Sequence, residues 1–284
     1  MIYKETVFRP QGDANVLVEF GDEPSLLLSF RVVSLNSQIK ARKILGVTET
    51  VVTTQSISVS YNPRKISYGK LISEIRKLSE EIKEYDSLPS RSITIPIWFD
   101  DPWSKDCAHA HLDYWQHEDC SSNFEFMAKQ NNLSIDEIIR KITTTDWWVT
   151  IQGFTPGLFG ALPLDPTYTL TVPSYIKPRI WTHERLFTIL GKYTWIYTIR
   201  SPGGGQLLGR TPWNLYEPQQ LNKIFKKSPV LVRVGDHIRY RPITEEQYWK
   251  TREQVEMGNY DYEDYIQPEM FSVKDVEQRF AKGP

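Results

Sequence analysis

Residues Gly204-Gly205-Gln206-Leu207-Leu208-Gly209-Arg210-Thr211 read G-x-x-x-x-G-R-T, one residue away from the phosphate-binding loop G-x-x-x-x-G-K-[ST]. That loop needs a strand before it and a helix after it, because the helix N-terminus holds the phosphate. The strand-like run Tyr193–Ile199 is present. The helix is not: Pro212 follows directly, and only residues 213–217 separate it from Pro218. The glycines read instead as a tight strand-to-strand turn or a close backbone approach to a ligand. A second group is Cys107, His109, His111, His117 and Cys120, which fall within 14 residues and include both cysteines and three of the five histidines. Thiolates and imidazoles could build a tetrahedral zinc site. The spacing C-x-H-x-H-x5-H-x2-C lacks the close pairs usual for structural zinc, so the preferred reading is a polar loop, with no metal.

The whole chain limits the classes. Its 284 residues suffice for one large or two ordinary domains with real cores. Lys plus Arg is 34 against 35 Asp plus Glu, a net charge of −1, and no basic block argues for nucleic acid or a lipid surface. The N-terminal MIYKETVFRPQGD lacks the apolar core of a secretion signal, and no apolar run approaches the roughly 18 residues of a membrane span. Two cysteines are too few for a disulfide framework. A soluble cytoplasmic protein without nucleic-acid or membrane partners is the expectation. Nine Trp and fifteen Tyr suit β structure and interfaces.

The elements that must position these residues follow from periodicity. Asn15–Phe20 is a strand, and Leu28, Val32, Leu35 and Ile39 mark a helix within residues 24–45. Thr48–Val52 and Ile57–Tyr61 form a hairpin. Leu71, Ile75, Leu78, Ile82 and Tyr85 stripe a helix over 68–85, and Ile93–Phe99 closes the set as a strand. The order β-α-β-β-α-β is that of a split-βαβ, ferredoxin-like subdomain over residues 1–92. Residues 100–123 are polar and irregular, and Ser134 with Glu137 opens a short helix in capping-box spacing. From Trp147 to Pro242 short β-rich runs alternate with Gly and Pro, so residues 93–244 read as a barrel or sandwich. Residues 245–284 begin helical and turn acidic, with ten Asp or Glu against five Lys or Arg over 245–282.

Gly153-Phe154-Thr155-Pro156-Gly157, and Ser201-Pro202-Gly203-Gly204 followed by Gln206, Gly209, Arg210 and Thr211, resemble the GFxPG and PGGxQxxGRT signatures of the allophanate hydrolase subunit 1-type family, the C and D part of a carboxyltransferase domain. Gly12-Asp13-Ala14, Tyr61-Asn62-Pro63 (usually Y-D-P) and Gly235-Asp236 also fit, so the resemblance spans about residues 10–243. PLDPTYTL, KPRIWT and GKYTWIYTIRSPGG lean towards the urea carboxylase-like branch. The resemblance implies an α+β fold in which a ferredoxin-like subdomain precedes a cyclophilin-like β-barrel. It implies a subunit of a biotin-dependent carboxyltransferase acting on a small urea- or amide-like acceptor. Biotin would be carried by a partner, since no A-M-K-M pattern occurs, and ATP would be used only by a partner biotin carboxylase. A second carboxyltransferase subunit, of the allophanate hydrolase subunit 2 type, would complete the site, and the chain alone would be inactive. The alternatives are a subunit of an ATP-dependent 5-oxoprolinase-type lactam hydrolase and a histidine kinase inhibitor.

Three demands of carboxyl transfer select the candidates. Developing charge on an oxygen needs N–H groups or a cation, the acceptor must lose a proton, and water must be excluded. Gly203 and Gly204 offer backbone amides, Arg210 a fixed charge, and Gln206 an amide-matching side chain. Tyr193 and Tyr197 offer hydroxyls, Asp165 is a base candidate, and Phe154, Pro156 and Gly157 belong to the first glycine motif. Each has a plainer competitor: Arg210 paired with Asp236, Gln206 as an inward hydrogen-bonded plug, the tyrosines as packing, and Asp165 as a turn residue before Pro166. Gly205 stands where the urea carboxylase-type pattern has Tyr or Trp, and GLFGAL (157–162) replaces a bulkier run.

Overall fold

Strand β2 (Asn15–Gly21) buries Val16, Val18 and Phe20, and β4 (Ser56–Tyr61) buries Ile57, Val59 and Tyr61, so alternate residues of both strands build one apolar face. Helices α1 (Leu26–Arg42) and α2 (Tyr68–Glu81) cover that face with Leu28, Val32, Leu35, Leu71, Ile75 and Leu78. Ser67 starts α2 by accepting a hydrogen bond from the Lys70 amide. With β1 (Ile2–Pro10) and β3 (Val47–Val52), the strands form an antiparallel sheet in the order β1-β2-β4-β3. The computed structural model describes residues 1–82, 86–114 and 120–282.

The strand composition of this sheet differs from expectation. Ile93–Phe99 does not join it. The edge beside β2 is taken by β1, whose half-exposed sequence IYKETVFRP carries too little hydrophobic alternation to announce a strand. Asn62, in the place of an aspartate, still serves the turn by accepting from the Arg64 amide at 2.9 Å.

The chain divides into two units, Met1–Pro89 with Met270–Lys282, and Ser90–Glu269. Residues 245–284, set apart in the sequence as an extension, are shared between them. Helix α6 (Glu245–Glu256) is in the second unit, and α7 (Val273–Lys282), with buried Val273 and Val276, is in the first.

The second unit is built on β5 (Ser87–Phe99), β6 (Trp147–Gln152), β7 (Phe159–Pro163), β9 (Leu186–Leu190), β10 (Tyr193–Ile196), β12 (Gln206–Arg210) and β13 (His237–Pro242). Their order is β12-β9-β10-β7-β6-β13-β5, and β12 also pairs with β5, so the sheet closes. Ile93, Ile95 and Ile97 of β5 point into a core shared with Trp147, Phe187 and Tyr240. A short ribbon joins β8 (Arg179–Thr182) to β11 (Ser201–Gly203), and β14 (Ile266–Ser272) lies next to β5 in the sheet order.

Residues 100–123 are more regular than expected. They contain α3 (Pro102–His109), with Pro102 in its first turn and Asp101 accepting from the Ser104 amide, and lead into α4 (Asn123–Asn131). The capping box of Ser134 and Glu137 is present at the start of α5 (Ile135–Thr144). The molecule is thus a mixed α+β fold with several sheets. Among the described residues no helix is long and apolar enough to cross a membrane.

Candidate functional site

The turn at 203–205 connects β11 to β12, strand to strand, so the near-match to a phosphate loop has no helix behind it. This turn is held from below. Gly204 O accepts from the Tyr175 amide at 2.7 Å, and Gly205 O accepts from Arg179 Nη1 at 2.8 Å. The Tyr197 ring packs where a Gly203 side chain would lie, and Thr188 Oγ1 does the same at Gly205. Backbone must therefore pass close to side chain at both positions, which only glycine allows.

The loop between β6 and β7 carries the other glycine motif. Thr198 Oγ1 donates to Pro156 O at 2.6 Å, and Gly157 takes φ 75° at the foot of the loop. Phe154 adopts φ 68° and is 75% exposed. A non-glycine residue in the left-handed region is unusual, and a large ring held out to solvent there is a functional signal.

Both motifs, about fifty residues apart in sequence, border one cleft of about 390 Å³. Its walls include Phe154, Leu158, Pro178, Trp195 and Tyr197, and the Gly203–Gly205 turn forms one side. The walls are mostly apolar and flat, which suits a planar ring and excludes water. No carboxylate and no imidazole lines it among the described residues.

The candidates separate into two groups. Phe154, Gly203 and Gly204 are at the cleft, Pro156 and Gly157 shape its loop, and the Tyr193 ring stands 5.7 Å from that of Trp195. Gln206, Asp165 and Arg210 do not line it. Gln206 is buried and donates from Nε2 to Pro173 O at 2.9 Å, an inward plug. Asp165 Oδ1 accepts from the Thr167 amide at 2.8 Å and its hydroxyl at 2.7 Å, an Asx-turn. Arg210 is 3% exposed, donates from Nη2 to Glu184 Oε1 at 2.8 Å and stacks 4.1 Å from the Trp103 ring. Its anticipated partner Asp236 instead receives Arg91 at 2.9 and 2.6 Å and the Arg233 amide at 2.7 Å.

The Cys/His group disperses. Cys107 is buried on α3 with its thiol 3.5 Å from Trp181 O, His111 Nδ1 lies 2.8 Å from Cys107 O, and His109 is exposed. Cys120 packs in the barrel core, apart from the Cys107 cluster, and His117 lies outside the described residues. Among the described residues no three His, Cys, Asp or Glu side chains could hold a metal together.

Two residues that bear on the site were not singled out for it in the sequence. Trp195 walls the cleft, and Arg179 anchors the turn. Arg179 lies within the KPRIWT stretch that carries the resemblance, and that was its only signal.

Comparison with known proteins gives consistent matches. The family model described as carboxyltransferase domain, subdomain C and D, matches residues 6–225. The urea amidolyases of Lachancea kluyveri and Saccharomyces cerevisiae are 26% and 28% identical over 263 and 264 residues. Each match covers 90% of this chain, and the chain spans only 14% of the length of those relatives. A 5-oxoprolinase component of Bacillus subtilis is 26% identical over 255 residues, covering 86% of this chain and 95% of that protein. In fold, the chain resembles the crystal structure of Kluyveromyces lactis urea carboxylase with a TM-score of 0.81 and 22% identity, over 99% of this chain and 26% of that one.

Proposed function

Because the chain belongs to the carboxyltransferase subdomain C and D family, we propose that it is one component of a biotin-dependent carboxyltransferase acting on a small urea- or amide-like acceptor. In the finer description of the fold, the first unit is ferredoxin-like with its edge strand supplied by the N-terminus, and the second is a cyclophilin-like barrel. The observation that carries the functional reading is the convergence of the two glycine motifs on one apolar cleft.

Carboxybiotin, borne on a partner, supplies an activated carboxyl group when it is bound. The flat apolar walls and the amide-bearing turn fit a ureido ring. Phe154, Leu158, Pro178 and Trp195 hold water away, which protects a labile carboxyl group. The Gly204 amide, which no anchor of the turn uses, is placed to donate to an oxygen that gains charge. Arg210 and Asp165 support the scaffold in this reading, through the Glu184 pair and the 165–167 turn. The cleft lacks a basic side chain among the described residues, so the acceptor's proton goes to a group on a second carboxyltransferase subunit. A biotin carboxylase with its carrier, the one ATP-using component, recharges the biotin.

One observation favours a second reading. The chain matches 95% of the Bacillus subtilis 5-oxoprolinase component, a free-standing protein of similar extent. On that reading the same cleft works in an ATP-dependent lactam hydrolase. Isolation of the native complex, probed with streptavidin, separates the two. Recovery of a second carboxyltransferase subunit together with a biotinylated carrier supports the carboxylase. Recovery of that subunit with no biotinylated protein sinks it in favour of the lactam hydrolase.

A further inference from the structure

Arg179 on β8 stands opposite Gly203 on β11 and is fully buried. A guanidinium stays charged in a protein, and burial of a cation ordinarily calls for a paired acid. Arg179 has none among the described residues. Its Nη1 donates to Gly205 O at 2.8 Å, its Nε to Thr182 Oγ1 at 3.2 Å, and its Nη2 reaches Tyr197 Oη at 3.5 Å. The guanidinium carbon lies 4.5 Å from the centre of the Tyr175 ring.

The titratable neighbours do not replace the missing acid. Burial pushes the Cys107 thiol up, and it pushes the Tyr175 and Tyr197 phenols up, with Arg179 opposing each shift without overcoming it. All three are neutral near pH 7. Asp101, which also acts on Cys107, is hydrogen-bonded to Ser104 rather than to Arg179. A positive charge therefore stands uncompensated behind the Gly203–Gly205 turn.

We propose that Arg179 makes this turn a seat for a negatively charged oxygen, taking ligands that carry a carboxylate or an amide- or ureido-type oxygen that gains charge as it reacts. The oxygen docks at the Gly204 amide, with Arg179 behind the backbone. Arg179 touches no ligand. It is a positioning residue: its fork fixes the Gly205 carbonyl, and its charge acts through the turn. Arg210, the cation expected in this role, is already paired with Glu184. The inference deepens the function proposed above and rests on it for the reaction, whereas the charge at the turn is independent of it.

A reporter thiol tests the charge directly. In Gly204→Cys, the added Cβ meets nothing nearer than Ser174 Cβ at 3.6 Å. The pH dependence of alkylation by iodoacetamide, followed at that cysteine by mass spectrometry on the full chain, gives its titration midpoint. An ordinary thiol titrates near pH 8.5, and a cation nearby lowers that by about one unit or more. The expected midpoint is therefore about one unit below the ordinary value. Arg179→Gln, which keeps a donor for Gly205 O, should raise it by about one unit, and Arg179→Lys should keep it low. A midpoint at or above about 8.5 with Arg179 intact overturns the proposal, and that measurement needs no Arg179 variant to fold. An unchanged midpoint in a folded Arg179→Gln chain overturns it equally. In the reconstituted complex, Arg179→Gln should lower kcat roughly tenfold to a hundredfold with a smaller change in KM, as expected for loss of transition-state stabilisation. If no partner restores carboxyl transfer to the unaltered chain, the assigned reaction fails, while the thiol titration still decides the charge.

Discussion

The phenol of Tyr197 occupies the space that a side chain on Gly203 would need. Gly203→Ala must therefore push a ring that is itself 5% exposed, and the expected loss is about 1–3 kcal/mol of stability. Gly205→Ala meets Thr188 Oγ1 and, at 3.2 Å, Ile189 O, and should lose a similar amount. Gly204→Ala has room and should change stability by less than about 0.5 kcal/mol. Urea denaturation of the three variants checks the order. A Gly203→Ala chain as stable as the parent would remove the steric account of the turn.

Arg210 should behave as a structural residue. Arg210→Ala leaves Glu184 without its buried donor and strips the guanidinium from the Trp103 ring, with an expected loss on the order of 3 kcal/mol. Glu184→Gln should lose less, because that side chain is 36% exposed. Unfolding midpoints measured beside turnover decide the matter. Unchanged stability with abolished turnover would make Arg210 a participant in the chemistry.

Two carboxylates set opposite pH trends. Burial pushes Asp101 up to about 6, against its hydrogen bonds from Ser104 and the Arg210 charge. The folded state then binds a proton that the unfolded chain has released, so this contribution to stability is full below about pH 4 and is lost as pH rises through 6. Asp101→Asn should flatten that loss, on the order of 2–3 kcal/mol between pH 4 and 7.

Asp146 runs the other way. Burial raises it, but hydrogen bonds from His237 and Arg239 overcome that and hold it far below the usual carboxylate range. Its contribution is present above about pH 4 and lost as pH falls below it. Denaturation of Asp146→Asn at pH 7 and at pH 3 should show destabilisation that shrinks at the lower value. A pH-independent difference would mean the ion pairs contribute nothing.

Phe154 combines strain and exposure. Phe154→Gly relieves a left-handed backbone and should raise stability by about 1 kcal/mol. The same change removes a cleft wall, so turnover in the reconstituted complex should fall. Calorimetry and kinetics on one preparation test both halves. Lower stability in the glycine variant would show that the ring packs more than it strains.

The sequence alone determined the elements whose signal is local. The stripe Leu71, Ile75 and Leu78 announced α2, the Ser134–Glu137 spacing announced the start of α5, and the alternation in ISVSY announced β4. Each works because burial of one face imposes a period within a short stretch. The two glycine motifs were equally plain, since backbone that must pass close to a side chain admits almost nothing but glycine. What the sequence left open was pairing. That β1 rather than β5 completes the first sheet depends on hydrogen bonds to β2, which no period in IYKETVFRP encodes. Arg210 and Arg179 look alike as residues. Only the folded chain gives one a carboxylate and leaves the other buried without one, because charge compensation is set by which distant segments meet. The tertiary structure likewise joins Phe154 to Gly203 and Gly204 at one cleft and directs Asp165 and Gln206 into hydrogen bonds elsewhere.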